Sequence, residues 1–167
     1  TNIKNFNSGR RAIGASTITQ QVAKNFLLSA DYSIERKIKE AILALRIERT
    51  FSKDHIFELY LNEIYLGFNS YGVAAAALNY FNKPLSQITL AEAAYLAALP
   101  KGPNNYHPTR KRKQAIIRRN WVLSQMFENG YITENEFNKT KKEELSVYAS
   151  SGFDGAYAPY PVEEIRR

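Results

Sequence analysis

The stretch GASTITQQVAKNFLL at residues 14–28, followed by RKIKE at residues 36–40, decides how the chain is read. In the first, Ser16, Thr17, Gln20, Gln21 and Lys24 stand among Ile18, Val22, Phe26, Leu27 and Leu28. The spacing predicts a helix from about Thr17, with Gln20 four residues from Lys24 and Gln21 three from it. Such positions are neighbours on a helix surface. Gly14 permits a sharp turn or a close backbone approach just ahead of the helix, and Ser16 or Thr17 can cap its first turn. Two amides, a hydroxyl and an ammonium at a donor-rich helix start suit an anionic oxygen ligand. The plainer alternative is an amphipathic helix with a solvated polar face. Two neutral glutamines beside one lysine, however, make a better hydrogen-bonding face than a solubilising one.

The second stretch lies on a helix that Ser33 can cap and that is expected to run to about Arg49. Ile34, Ile38, Ala41, Ile42 and Leu45 make one apolar stripe at helical spacing. Arg36, Glu40, Leu43 and Ile47 make the opposite row, which starts charged and turns apolar, so the second half of the helix reads as greasy on two sides and central. Glu40 sits where the row changes character, with Arg36 four residues before it and Lys37 three before. A carboxylate at the edge of a core needs partners, and these cations can supply them. The alternative is a surface ion pair worth about 0.3–0.5 kcal/mol; the apolar continuation of the row points instead to a cleft.

A chain of 167 residues with 44% hydrophobic and 23% charged residues is long enough for one domain with a real core. It has no cysteine, hence no disulfide framework or thiolate metal site, and the two histidines, His55 and His107, are too isolated for a zinc site. A net charge of +7 and a pI near 9.5 imply an anionic partner: nucleic acid, phosphates or a membrane surface. No apolar run of the ~18 residues that a spanning helix needs occurs, and no signal peptide is visible. The chain starts at Thr1 and stops at EEIRR just after Pro161 opens a new helix, so both ends read as cut from a longer protein.

Residues 1–12 read as a loop or frayed helix end carrying Arg10–Arg11, a solvated pair or a phosphate contact. Ser52 can cap a third helix ending near Gly67, within which a buried Asn62 is expected to hold neighbouring backbone. The small run Ala74–Ala77 allows close helix approach, and Pro84 ends that segment. TLAE at residues 89–92 and TENE at residues 133–136 are capping boxes opening further helices. Between them, PKGPNNYHP reads as a loop, and a basic helix carrying Arg118, Arg119 and Trp121 is expected to stop at Gly130. From residue 145 the Ser-, Gly-, Tyr- and Pro-containing tail reads as an extended linker. The class is all-α, with roughly seven helices.

GASTITQQVAKN and RKIKE resemble the STITQQ and RKxxE motifs of the glycosyltransferase domain of class A penicillin-binding proteins. IFELYLN, ending at Asn62, and RRNWVL, beginning with Arg118 and Arg119, resemble that family's two structural motifs. The order is kept along nearly the whole chain. The tail YAPYPVEEIRR resembles the passage toward a transpeptidase domain, which favours a bifunctional protein. Residues 1–144 would then be a partial glycosyltransferase domain with a lysozyme-like fold, and 145–167 a linker. One motif departs: the family's EDxxFxxHxG, whose glutamate is taken as the general base, occurs nowhere here, so the chain alone is expected to be inactive.

The resemblance implies polymerisation of peptidoglycan glycan strands from lipid II, on the outer face of a bacterial cytoplasmic membrane, with undecaprenyl pyrophosphate leaving. Lys24, Arg36 and Lys37 would contact the pyrophosphate, and Ser16, Thr17, Gln20 and Gln21 the sugars or phosphates. Glu40 would be catalytic, either orienting Arg36 and Lys37 or sharing a Mg²⁺ with the phosphates. Implied partners are lipid II, the growing glycan strand, the membrane surface and a transpeptidase domain. A lysozyme-like hydrolase is the competing enzyme. A basic nucleic-acid-binding module is a remote third reading, because no recognised nucleic-acid motif occurs.

Overall fold

A computed structural model of the protein describes residues 16–26 and 33–148. Seven α-helices occur among them, with no strand beyond one isolated bridge. The all-α expectation holds. Gly14, Leu27, Leu28, the Arg10–Arg11 pair and the tail from residue 149 lie outside the described residues. The chain divides into two compact units, Thr1–Ile64 and Tyr65–Arg167.

In the first unit, α1 (Ile18–Phe26) packs on both α2 (Ile34–Thr50) and α3 (Lys53–Glu63). Each helix start is tied locally. Ser33 accepts from the Arg36 amide at 3.1 Å and Ser52 from the His55 amide at 3.2 Å, satisfying amides that a helix end leaves open. The buried core is Val22, Ala23, Ala44, Ile47 and Ile56, with Leu43, Leu59 and Tyr60 against it.

Two expectations fail here. The face of α2 that packs is the row containing Arg36, Glu40, Ala44 and Ile47. The stripe expected to share the core stands out instead, with Ile34 83%, Ile38 56%, Ile42 49% and Leu45 58% exposed. Periodicity finds two apolar sides but does not say which one a neighbour covers. Asn62 is exposed rather than buried, because it lies ~120° around α3 from its buried Ile56.

The second unit opens with a tight hairpin where the third helix was expected to continue; α3 ends at Glu63. Tyr65 pairs antiparallel with Tyr71, and the Ser70 amide donates to the Gly67 carbonyl at 2.8 Å. Phe68 and Asn69 are both left-handed, at φ 47° and 52°, the pair of conformations a type I′ turn demands. Gly67 is required twice over. Its φ is +87°, and an added Cβ would lie 2.7 Å from Tyr80 Oη and 2.9 Å from Pro103 Cβ.

There follow α4 (Val73–Phe81), α5 (Leu90–Ala98), α6 (Arg112–Glu128) and α7 (Glu134–Lys141). Both expected capping boxes form, at Thr89–Glu92 and Thr133–Glu136. Tyr80, Phe81 and Tyr95 interlock at ring-centroid distances of 5.7–6.3 Å. Their hydroxyls are not wasted: Tyr80 donates to the Leu66 carbonyl at 2.7 Å and Tyr95 to the Tyr106 carbonyl at 2.8 Å. α5 lies along α6, with Ala94, Ala98 and Ala115 fully buried. The start of the expected linker is tied down in residues 145–148: Leu145 is buried and accepts from Arg112 Nη1 at 2.6 Å, and the Tyr148 amide donates to Tyr80.

Candidate active site

The sequence-predicted site residues fall into three groups. The first is a charged corner in the first unit. Glu40 is 1% exposed, with Lys37 Nζ 2.6 Å from Oε2 and Arg36 Nε 3.2 Å from Oε1. The arginine contact pairs charges without the alignment of a hydrogen bond to Glu40. Lys37 also donates to Ser16 Oγ at 3.2 Å. All three charged residues follow from helix geometry, since positions 36, 37 and 40 share one side of α2. What the fold adds is burial. A carboxylate removed from water needs its cations, and Arg36 is buried beside it. The Lys37 side chain stays 57% exposed while its ammonium is held by Glu40 and Ser16.

The second group is a helix cap. Gln20 Oε1 accepts from the Thr17 amide at 3.1 Å while Thr17 Oγ1 accepts from the Gln20 amide at 3.2 Å. This is the reciprocal capping box, with glutamine in the place glutamate often takes. Both side chains hold α1's first turn. The Thr-x-x-Gln pattern at 17–20 was legible in the sequence as such a box.

Gln21 and Lys24 form the third group. Both lie ~150° around α1 from the middle of its buried stripe of Thr19, Val22 and Ala23. No hydrogen bond or ion pair among the described residues links either to Arg36, Lys37 or Glu40. Gln21 is half-buried and Lys24 exposed on that side of α1.

Pattern reading passed over one polar contact altogether. Thr19, buried in α1's packing stripe, donates from Oγ1 to Glu48 Oε1 at 2.8 Å. The signal was its i, i+3, i+4 spacing with Val22 and Ala23, which marks position 19 as facing inward.

Of the two stretches resembling structural motifs, the second is held in the second unit by Arg119, 1% exposed. Its guanidinium donates to Asn120 Oδ1 at 2.9 and 3.0 Å, to the Glu143 carbonyl at 2.8 Å and to the Lys141 carbonyl at 3.2 Å. Burial pushes its pKa below the ordinary value, a pull partly offset by Glu143. Arg118 instead lies over the Trp121 ring, 3.9 Å from its centroid.

Both oxygens of Glu40 face cations, and among the described residues no group of three His, Cys, Asp or Glu stands together. Nor is any described helix long and apolar enough to cross a membrane.

A family model described as transglycosylase matches residues 1–127. Penicillin-binding protein 1A of Escherichia coli is 48% identical over 160 residues, which is 96% of this chain and 19% of that protein. Its Aquifex aeolicus namesake is 52% identical over 145 residues, 87% of this chain and 20% of that protein. The crystal structure of penicillin-binding protein 1A from Haemophilus influenzae superposes with a TM-score of 0.53 at 35% identity, covering 81% of this chain and 18% of that one. The chain thus spans about a fifth of the length of the relatives it matches, and it belongs to the transglycosylase family.

Proposed function

We propose that this chain serves an enzyme that extends peptidoglycan glycan strands from lipid II by inverting glycosyl transfer, with undecaprenyl pyrophosphate as the leaving group. The observation that carries this reading is Lys37, whose ammonium is fixed between Ser16 and the buried Glu40 while its side chain is more than half exposed. Negative charge grows on the departing diphosphate as the glycosidic carbon is attacked, so cations held in place beforehand stabilise the transition state. Lys37 offers a point charge. Glu40, itself an anion, has no direct use for phosphate oxygens. It acts by holding Lys37 and compensating Arg36. No step is routed through Mg²⁺. The proton-accepting step is not drawn from these residues either, since the sequence contains no EDxxFxxHxG.

Lys24 and Gln21, on the side of α1 away from its packed stripe, suit polar groups of the lipid-linked donor or acceptor. The exposed stripe of Ile34, Ile38, Ile42 and Leu45 supports contact with a membrane surface, as a lipid-linked substrate requires. On this reading the enzyme works at the outer face of a bacterial cytoplasmic membrane. A transpeptidase domain in the same protein is consistent with the relatives' name. Family membership disfavours the hydrolase and nucleic-acid readings.

The test is Glu40→Gln in the full-length protein. Glycan polymerisation from lipid II should fall at least a hundredfold while β-lactam acylation is unchanged; near-normal polymerisation would refute the role given to Glu40.

A further inference from the structure

α1 is nine residues long, too short to hold its own shape in water, so its position comes from what it packs against. Its buried stripe is Thr19, Val22 and Ala23. Val22 and Ala23 enter the apolar core with Ala44, Ile47 and Ile56. Apolar burial is not directional, and those contacts tolerate a small rotation or slide. Thr19 does not. Its hydroxyl donates to a carboxylate at 2.8 Å, a charge-assisted and directional bond, and at 7% exposure the hydroxyl would be stranded without that acceptor.

The second tie between the helices is Ser16 to Lys37 at 3.2 Å. The two anchors on α2, Lys37 and Glu48, stand eleven residues apart in sequence, ~16 Å along a helix axis. Reaching from these two positions on α2 to residues three apart at the start of α1, the two bonds together resist both rotation and sliding of α1. Of the two, the Ser16 bond is exposed and easily exchanged for water, whereas the Thr19 bond is partly buried.

We infer that the Thr19–Glu48 hydrogen bond is a positioning clasp, holding the start of α1 where Ser16 shares the Lys37 ammonium with Glu40. Neither residue touches substrate. Both act through Lys37, and the inference rests on the diphosphate role proposed for that lysine.

Steady-state polymerisation of lipid II by the full-length protein tests it. Thr19→Val, which keeps the shape and removes the donor, should lower kcat/KM about tenfold, with the melting temperature within a few degrees of wild type. Thr19→Ser should restore most of the rate. Glu48→Ala, which removes the acceptor and leaves the Thr19 hydroxyl unpaired, should lower the rate at least as much as Thr19→Val, and Glu48→Gln, which keeps an acceptor, should not. The deciding measurement is made on a Lys37→Met background. There Thr19→Val should cost less than about twofold, because the group it positions is gone. An equal loss on both backgrounds would mean a general weakening of the unit and overturns the clasp. So would an indifferent Thr19→Val in a protein that Lys37→Met does impair. If Lys37→Met leaves polymerisation unchanged, the diphosphate role of Lys37 falls, and the clasp as a device for it falls too.

Discussion

The two units fill their interiors with different chemistry. The first buries Arg36, Glu40 and Thr19 beside a core of small and aliphatic side chains, while leaving four large aliphatic residues of α2 outside. The second buries aromatic rings, and each buried tyrosine hydroxyl there reaches a backbone carbonyl. Burying charge and exposing isoleucine runs against the usual sorting of side chains. Where a natural sequence breaks such rules, the cause is most often function. The first unit accepts that cost around Lys37 and Glu40. The second also leaves single apolar side chains such as Ile117 outside, but the buried cation among its described residues, Arg119, has its donors taken up by protein acceptors.

That contrast breaks most readily at Arg119. Arg119→Ala removes every donor to Asn120, Glu143 and Lys141 and leaves a void where a large side chain stood. The expected loss is about 3 kcal/mol of unfolding free energy. Trp121, the only tryptophan, lies on α6, so its fluorescence in a urea titration reports this unit directly. An unchanged midpoint would show that the clamp holds nothing.

Alkaline pH offers a gentler probe of the same unit. Burial raises the phenol pKa of Tyr95 well above its ordinary value, with a smaller contribution from Tyr80, and Tyr80 is raised chiefly by burial as well. The neutral phenols are therefore favoured in the folded state. Their contribution is complete below the unfolded pKa of about 10 and is lost as pH climbs from there toward the folded values. Stability read from Trp121 should decline above pH ~10. Tyr95→Phe, though less stable at neutral pH for want of its bond to Tyr106, should show a visibly shallower decline. An identical slope in the variant would remove Tyr95 from the account.

How much of this was legible in the sequence follows the range of the interactions. The capping boxes at Thr89 and Thr133 and the caps at Ser33 and Ser52 close within three residues, and all of them form. The approach of Arg36 and Lys37 to Glu40 is likewise a matter of helix spacing. Three things were beyond local reading. The hairpin after Ile64 depends on Phe68 taking a left-handed backbone, which a bulky aromatic residue gives no hint of. The Thr-x-x-Gln spacing allows a cap but does not decide between that cap and the substrate contact the resemblance implies for Gln20, whose amide oxygen closes on the Thr17 amide. The exposure of Asn62, and the choice of which side of α2 to cover, were settled by partners distant in sequence.

That last choice gives the smallest expected effect and a sharp test of the comparison. If the Ile34–Ile38–Ile42–Leu45 stripe were core, Ile38→Ser would remove buried methyl groups and cost several kcal/mol. With Ile38 56% exposed, the change should fall within about 0.5 kcal/mol, visible as an almost unmoved thermal midpoint by circular dichroism. Binding of the full-length protein to anionic lipid vesicles separates the two units further: Ile38→Ser should weaken it, while Ile117→Ser, at an equally exposed isoleucine on α6, should not. A large drop in midpoint for Ile38→Ser would mean that some other part of the protein covers the stripe, and the first unit would then hide its isoleucines as conventionally as the second hides Tyr80 and Tyr95.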